Sequence, residues 1–380
     1  MEWKIPLADL DYGPEEEQAV LSVLRSKWLT MGAVTQQFEQ AFASYHKADH
    51  AIAVSNATQA LHLACLALGI GPGDEVIVPS LSFVATSNAV LYTGATVRFA
   101  DIIGPDELTI DPESVECLIT PRTKAVIVMH YAGYPCRMAE LLTLARRYSL
   151  FIIEDAAHSP GAWLGGRALG TWGNVGCFSF FSNKNLSTGE GGMLVTSYPD
   201  MANRLRLLRS HGMTSLTYDR HQGRAYSYDV VELGYNNRID EMHSALGLVQ
   251  LAKLKNNNTR RQTLTDLYRK KLTPLGLTVP FGSTPGTSAC HILPMLLPEG
   301  ANRSAFMEKM KAAGIQTSIH YPPIHNFAYY RKTIGRSWLP VTETVAAREV
   351  TLPLYPEMGE EGVNMVVAAI EQAMAVKAAG

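Results

Sequence analysis

The stretch AVIVMHYAGYPCRMAELLTLARRYSLFIIED, residues 125–155, decides the fold class. Two short apolar runs, Ala125 to His130 and Leu150 to Glu154, flank a segment of helix length, Met138 to Tyr148. A strand, a covering helix and a second strand of this kind build a mostly parallel sheet buried on both faces. Outward from this unit the same alternation continues. Strand candidates precede it at Ala51 to Val54, Glu75 to Pro79 and Thr96 to Phe99, and follow it at Gly176 to Phe181 and Gly192 to Thr196, so seven strands are expected. Thr58 to Leu68 is another helix-length connection. Upstream, Val20, Leu21 and Leu24 fall at helical spacing between Pro14 and about Lys27, with Pro14 suited to a first turn and Glu15 to Glu17 favourable at a helix start.

Beyond Glu241 the pattern changes to a long amphipathic run through LGLVQLAKLK (246–255) and TLTDLYRKKL (263–272). Pro- and Gly-rich connections, a strand candidate at His291 to Leu297 and two helical segments follow it. The reading is an α/β chain with a large domain over 1–250 and a smaller one over 251–380, since 380 residues exceed an ordinary single core.

Bulk composition narrows the partners. Hydrophobic residues make up 47% and charged residues 18% of the chain, which is globular composition, and a formal net charge of -2 offers no attraction to nucleic acid or an anionic bilayer. Small molecules are the expected partners. Cys65, Cys117, Cys136, Cys177 and Cys290 are odd in number and never in a Cys-x-x-Cys pair, so neither a disulfide framework nor a thiolate metal site is expected, and a reducing cytoplasm fits. The first residues, MEWKIPLADLDYGPEEE, are acidic where a secretion signal is basic and then apolar, and no run approaches the ~18 apolar residues of a membrane span.

Two residues carry the chemistry. Asp155 follows the strand candidate Leu150 to Glu154, where open parallel sheets bind ligands. Lys184 lies in CFSFFSNKNLSTGEGG (177–192), an apolar run that gives way to hydroxyls and glycines suited to a phosphate. Alone, an acid at a strand end is more often a helix cap or turn former, and such a lysine more often a solvated loop charge. Together they match what pyridoxal 5'-phosphate requires: an amine to condense with its aldehyde and a carboxylate to keep its pyridine nitrogen protonated.

The ordered motifs SNATQAL (55–61), PSLSFVATSNAV (79–90), EDAAHSPGA (154–162), FSFFSNKNLSTGEGG (178–192), LGYNNRIDEMHSALGLVQL (233–251) and IHYPPIH (319–325) resemble the DegT/DnrJ/EryC1/StrS family of sugar aminotransferases. The resemblance runs from Trp28-Leu-Thr-x-Gly to LPLYPEM at 352–358. It implies an aspartate aminotransferase-like fold of type I, with a three-layer large domain and a smaller C-terminal α+β domain.

The resemblance also implies roles for single residues. Lys184 holds the cofactor as a Schiff base and moves a proton between substrate and cofactor, and Asp155 pairs with the pyridine nitrogen. Phe83 stacks on the ring or is simply core. Ala57, Thr58 and Ser179 bind the phosphate, with Ala57 standing where the family commonly has glycine. His158 lies near the ring hydroxyl or is a structural histidine. Asn236 reaches the phosphate from a neighbouring subunit, which requires a homodimer with composite sites. His320, Tyr321 and His325 line the acceptor side, although Tyr321 equally packs beneath it. Two histidines five apart around Pro322 and Pro323 lack metal-ligand spacing, so no metal is expected.

Relatives that dehydrate sugars carry histidine at the lysine position, so Lys184 points to transamination. A non-catalytic regulator on this fold would dispense with Lys184 or Asp155, and both are present. The expected reaction moves an amino group from glutamate to a keto sugar, with a nucleotide-linked keto-deoxysugar favoured over a keto-inositol or a free keto or aldehyde sugar.

Overall fold

The computed structural model describes residues 3–375. Seven strands form one sheet: β1 (His50–Val54), β2 (Glu75–Pro79), β3 (Thr96–Ala100), β4 (Thr123–Met129), β5 (Phe151–Asp155), β6 (Val175–Ser179) and β7 (Gly192–Thr196), in the order β1-β7-β6-β5-β4-β2-β3. From β3 to β6 all pairings are parallel, as in Val126 opposite Ile152. Only β7 runs the other way, antiparallel to both β6 and β1. Six strands therefore direct their carboxyl ends to one edge.

Side chains alternate across the pleat, and each face finds a cover. Val126, Val128 and Ile152 pack with Leu141 and Ala145 of the helix Met138–Tyr148. Ile127 and Ile153 face the opposite way, onto Leu61 and Ala64 of Ala57–Ala67 and Ala89 and Val90 of Ala85–Tyr92. Burial on both faces is why the strands read as unbroken Val and Ile runs rather than alternating ones.

The long amphipathic run is a single helix, Glu241–Leu272. Its Leu251 and Leu254 pack with Phe38, Phe42, Phe178 and Phe180, whereas Leu264, Tyr268 and Leu272 join the C-terminal core around Met295, Val350 and Leu352. The division expected near residue 250 thus falls inside a helix, which leaves no linker signal in the sequence. The handover between cores lies between Leu254 and Leu264. Ile5 also packs in the C-terminal core and pairs with Ile315, so the start of the chain returns to the later part.

That later part holds the strand Leu293–Leu296, antiparallel to Glu349–Leu352, which is too short to show a period. Among the described residues four α-helices accompany them where two helical segments were expected: Arg303–Ala312, Ala328–Thr333, Pro340–Arg348 and Gly359–Ala375. No helix among the described residues is long and apolar enough to cross a membrane.

Candidate active site

The carboxyl ends of β1, β2, β4, β5 and β6 open onto a cavity of about 450 Å³. Ala57, Thr58, Phe83, Asp155, His158, Ser179, Lys184, His320 and Tyr321 all line it, together with Asn56, Met129 and Asn183. Residues from Asn56 to Lys184 are brought together there because successive parallel strands end at the same edge, and His320 and Tyr321 close the space from the C-terminal part.

Asp155 is the last residue of β5 and is buried. Its carboxylate accepts hydrogen bonds from the Thr86 hydroxyl (2.7 Å) and the Ala157 N–H (3.2 Å). Burial raises its pKa, opposed by these bonds and by the charges of Lys184 and His130. Among the described residues no cation stands within ion-pair distance of it. A buried carboxylate without a cation, at the wall of a cavity, suits a ligand that brings a protonated nitrogen. Thr86, which orients the carboxylate, lies in the quoted motif PSLSFVATSNAV but had no separate signal.

At another wall the helix Ala57–Ala67 begins. The Asn56 side chain caps it by accepting from the Gln59 N–H, which leaves the Ala57 and Thr58 N–H groups at a helix start lining the cavity. The turn sits against β7. A Cβ on Gly192 would come within 2.6 Å of the Asn56 carbonyl carbon and 2.9 Å of the Ala57 nitrogen, so glycine at this position sets how close strand and turn approach. With the Ser179 side chain alongside, this is an anion-binding corner.

Lys184 follows β6 in a turn closed by its N–H to the Phe181 carbonyl (2.8 Å). Burial lowers its amine pKa to about 8, against the opposing pull of Asp155. A larger share of the amine is then neutral and nucleophilic near neutral pH than in an exposed lysine. Its Nζ lies 3.2 Å from Nε2 of His291, a contact the sequence did not suggest because His291 sits in an apolar run 107 residues away.

The C-terminal part supplies the remaining wall. His158 takes the Ala132 N–H at Nδ1 (3.2 Å) and meets the Tyr321 hydroxyl at Nε2 (3.0 Å), and Phe83 lies 6.0 Å from the Tyr321 ring. Phe83 is 56% exposed, so it is a cavity wall rather than core. His320 is held by its N–H to Glu349 (2.9 Å) and by Nδ1 against Thr351 Oγ1 (2.8 Å). Burial lowers the His320 pKa to about 4 and raises that of Glu349 to about 8.

Two expected residues lie elsewhere. His325 does not line the cavity; it is buried between Ser80 Oγ (2.7 Å, Nδ1) and Glu343 Oε1 (2.9 Å, Nε2), so both ring nitrogens are occupied in tying the C-terminal part to the end of β2. Pro322 and Pro323 separate it from Tyr321, and it lies in the short helical turn Ile324–Asn326. Asn236 is exposed and outside the cavity of its own chain.

An amine, an unpaired buried carboxylate and an anion corner around one cavity fit pyridoxal phosphate, with its aldehyde, ring nitrogen and phosphate. The comparisons with known proteins agree. The model of the DegT/DnrJ/EryC1/StrS aminotransferase family matches residues 11–371. The chain is 39% identical to the spore coat polysaccharide biosynthesis protein SpsC of Bacillus subtilis over 94% of both chains. It superimposes on PseC of Helicobacter pylori, an aminotransferase involved in pseudoaminic acid biosynthesis, with a TM-score of 0.89, 28% identity and coverage of 99% and 100% of the two chains. For Spr1654 of Streptococcus pneumoniae in its PLP form the TM-score is 0.89, with 27% identity over 97% and 98%.

Proposed function

Because the chain belongs to the DegT/DnrJ/EryC1/StrS aminotransferase family, whose members are pyridoxal phosphate-dependent, we propose that it transfers the amino group of L-glutamate to a nucleotide-linked keto-deoxysugar. The observation that carries this reading is the Lys184 amine, lowered to about 8, in one cavity with the cation-free carboxylate of Asp155. The amino-sugar pathways of PseC and the polysaccharide pathway of SpsC support a sugar acceptor.

When bound, the cofactor supplies an aldehyde for the amine and an electron sink for the charge left on a substrate carbon when its proton is removed. The chain's residues do the rest. Asp155, fixed by Thr86 and Ala157, holds the proton on the ring nitrogen. Ala57, Thr58 and Ser179 hold the phosphate. Phe83, His158 and Tyr321 would line the space that the cofactor ring fills, with His158 held by the Tyr321 hydroxyl. The Lys184 amine, once freed, would take the proton from the donor's carbon and pass it to the cofactor carbon that bore the aldehyde oxygen, and do the reverse with the acceptor. His320 and Tyr321 bound the side from which the sugar enters.

In this reading the enzyme is a homodimer, with Asn236 reaching the phosphate end of the partner's site. Its exposure, and the exposure of Tyr226 (98%) and Leu233 (82%) on the same stretch of chain, support burial against a second copy. A cytoplasmic location accords with five free thiols.

The test is an assay of cofactor-loaded protein with glutamate and a panel of keto sugars, with and without a nucleoside diphosphate, and keto-inositols, read by mass spectrometry. Formation of 2-oxoglutarate with an amino sugar from a nucleotide-linked acceptor is expected. Product from the inositol or free-sugar arms alone would move the acceptor class, and no product in any arm would sink the reading.

A further inference from the structure

The contact between Lys184 and His291 ends a chain of hydrogen bonds whose polarity can be followed from one end. The Asn258 amide NH2 donates to the Pro160 carbonyl (2.9 Å), so its oxygen faces Asn185. The Asn185 NH2 donates to that oxygen (2.8 Å) and to the Ala289 carbonyl (2.7 Å), which turns the Asn185 oxygen toward His291 Nδ1 (2.9 Å). A carbonyl oxygen only accepts, so Nδ1 carries the hydrogen and Nε2 keeps its lone pair. That lone pair lies 3.2 Å from the Lys184 amine, whose single hydrogen-bond partner among the described residues it is. The His291 backbone is pinned as well: its N–H donates to the Ala132 carbonyl (2.9 Å), and the Arg261 guanidinium donates to the His291 carbonyl (3.2 Å).

We propose that His291 is a positioning residue for the reaction, an imidazole locked by Asn185 and Asn258 as the Nδ1–H tautomer that accepts a hydrogen bond from the free Lys184 amine and fixes where that amine waits. This rests on the reading of Lys184 as the cofactor's lysine and proton carrier.

Chemistry favours an imidazole here. A free lysine side chain samples many rotamers, and a proton carrier must return to one place on each turnover. A carboxylate acceptor would hold the amine charged and unable to take a proton, whereas a neutral ring orients it without that cost. Burial, with Lys184, His158, Arg261 and His320 around it, keeps His291 uncharged. His158, whose ring centroid is 4.4 Å away, is locked in the opposite tautomer, since Ala132 donates to its Nδ1. Its Nε2 hydrogen then goes to Tyr321 and does not compete for the amine.

Two measurements on the cofactor-free protein test this without using activity. Long-range proton–nitrogen NMR of histidine-labelled protein is expected to give His291 the Nδ1–H pattern, with Asn185→Leu losing the lock; an Nε2–H pattern in the unaltered protein overturns the proposal, and needs no variant. Competitive acetylation of Lys184 against pH, read by mass spectrometry, is expected to titrate near 8 and to move to lower pH in His291→Leu, where the desolvated ammonium loses its acceptor, but to stay close to the original in His291→Gln, whose side-chain oxygen still accepts. An unmoved titration in a folded His291→Leu overturns it. In the loaded enzyme, His291→Leu should slow the half-reaction with glutamate on the order of 100-fold with little change in KM, and His291→Gln should recover part of the loss. If pyridoxal phosphate fails to protect Lys184 from acetylation in the unaltered protein, the assignment of Lys184 fails instead, and the tautomer result still stands or falls by itself.

Discussion

The cavity has two unlike halves. The sheet half is made by strand ends and one helix start: Asp155, Ser179 and the turn at Ala57 and Thr58 offer a carboxylate and backbone N–H groups fixed by secondary structure. The C-terminal half offers His320 and Tyr321, with His291 behind the wall against the Lys184 amine, each held by other side chains and each kept uncharged by burial. Their partners, Asn185, Thr351 with Glu349, and His158, come from distant parts of the chain. Charge is fixed where backbone geometry is rigid, and neutral, orientable groups stand where the substrate must enter and protons must move.

Lys184 joins the two halves, so its loss breaks the comparison most severely. Lys184→Ala is expected to abolish turnover while the protein stays folded, because the residue sits in a turn held by its backbone N–H and, among the described residues, its side chain bonds only His291. Circular dichroism with a transamination assay would check it, and a substantial residual rate would remove Lys184 from its role.

Asp155→Asn tests the sheet half. An amide cannot hold a proton on the ring nitrogen, so the rate should fall by roughly 1,000-fold or more while the cofactor still binds. Near-normal rates would leave Asp155 as the cap of the turn to Ala157, the other role open to an acid at a strand end.

Legibility in the sequence follows the same division. Asp155 and Lys184 could be read because the end of an apolar run is a local signal, and strand ends in parallel sheets face ligands. The seven strands were legible for the same reason, with ends shifted by one or two residues, as at Phe151–Asp155 and Val175–Ser179. Nothing local marks His291: it sits at the start of an apolar strand region and acquires its meaning from Asn185 and Lys184, more than a hundred residues earlier. His325 shows the reverse error. Its place beside His320 and Tyr321 suggested a shared cavity, but its ring is taken up by Ser80 and Glu343.

Gly192→Ala sharpens the comparison at the anion corner. The added methyl would meet backbone at 2.6 Å, which the Asn56-Ala57 turn can relieve only by moving away from β7. Overpacking of this kind costs about 1–3 kcal/mol, and the expected result is a lower thermal midpoint with weaker cofactor retention in equilibrium dialysis. Unchanged retention would show that the turn does not hold the phosphate.

The mildest change probes the C-terminal half at Glu349. Its folded pKa, raised by burial from 4.5 to about 8, means that between those values the folded protein keeps a proton the unfolded chain has released. Stability from this group is then present at low pH and is lost as pH rises through that window. Histidines 158, 291 and 320 act in the opposite sense, because their lowered pKa values favour the folded state above 6.5 and oppose it as pH falls. A single pH–stability curve therefore mixes both trends, but a difference curve does not. In Glu349→Gln the amide oxygen still accepts the His320 N–H and the NH2 can donate to Thr351 Oγ1, so the variant mimics the protonated acid at every pH. The histidine contributions stay common to both proteins. Subtracting the two thermal midpoints should leave little difference near pH 5 and a gap of a few degrees in favour of the variant near pH 8, with turnover at neutral pH within roughly fivefold. A gap that shrinks with rising pH would mean that Glu349 is ionised in the fold and that His320 is held by a charge, which would erase the contrast between a charged sheet half and a neutral C-terminal one.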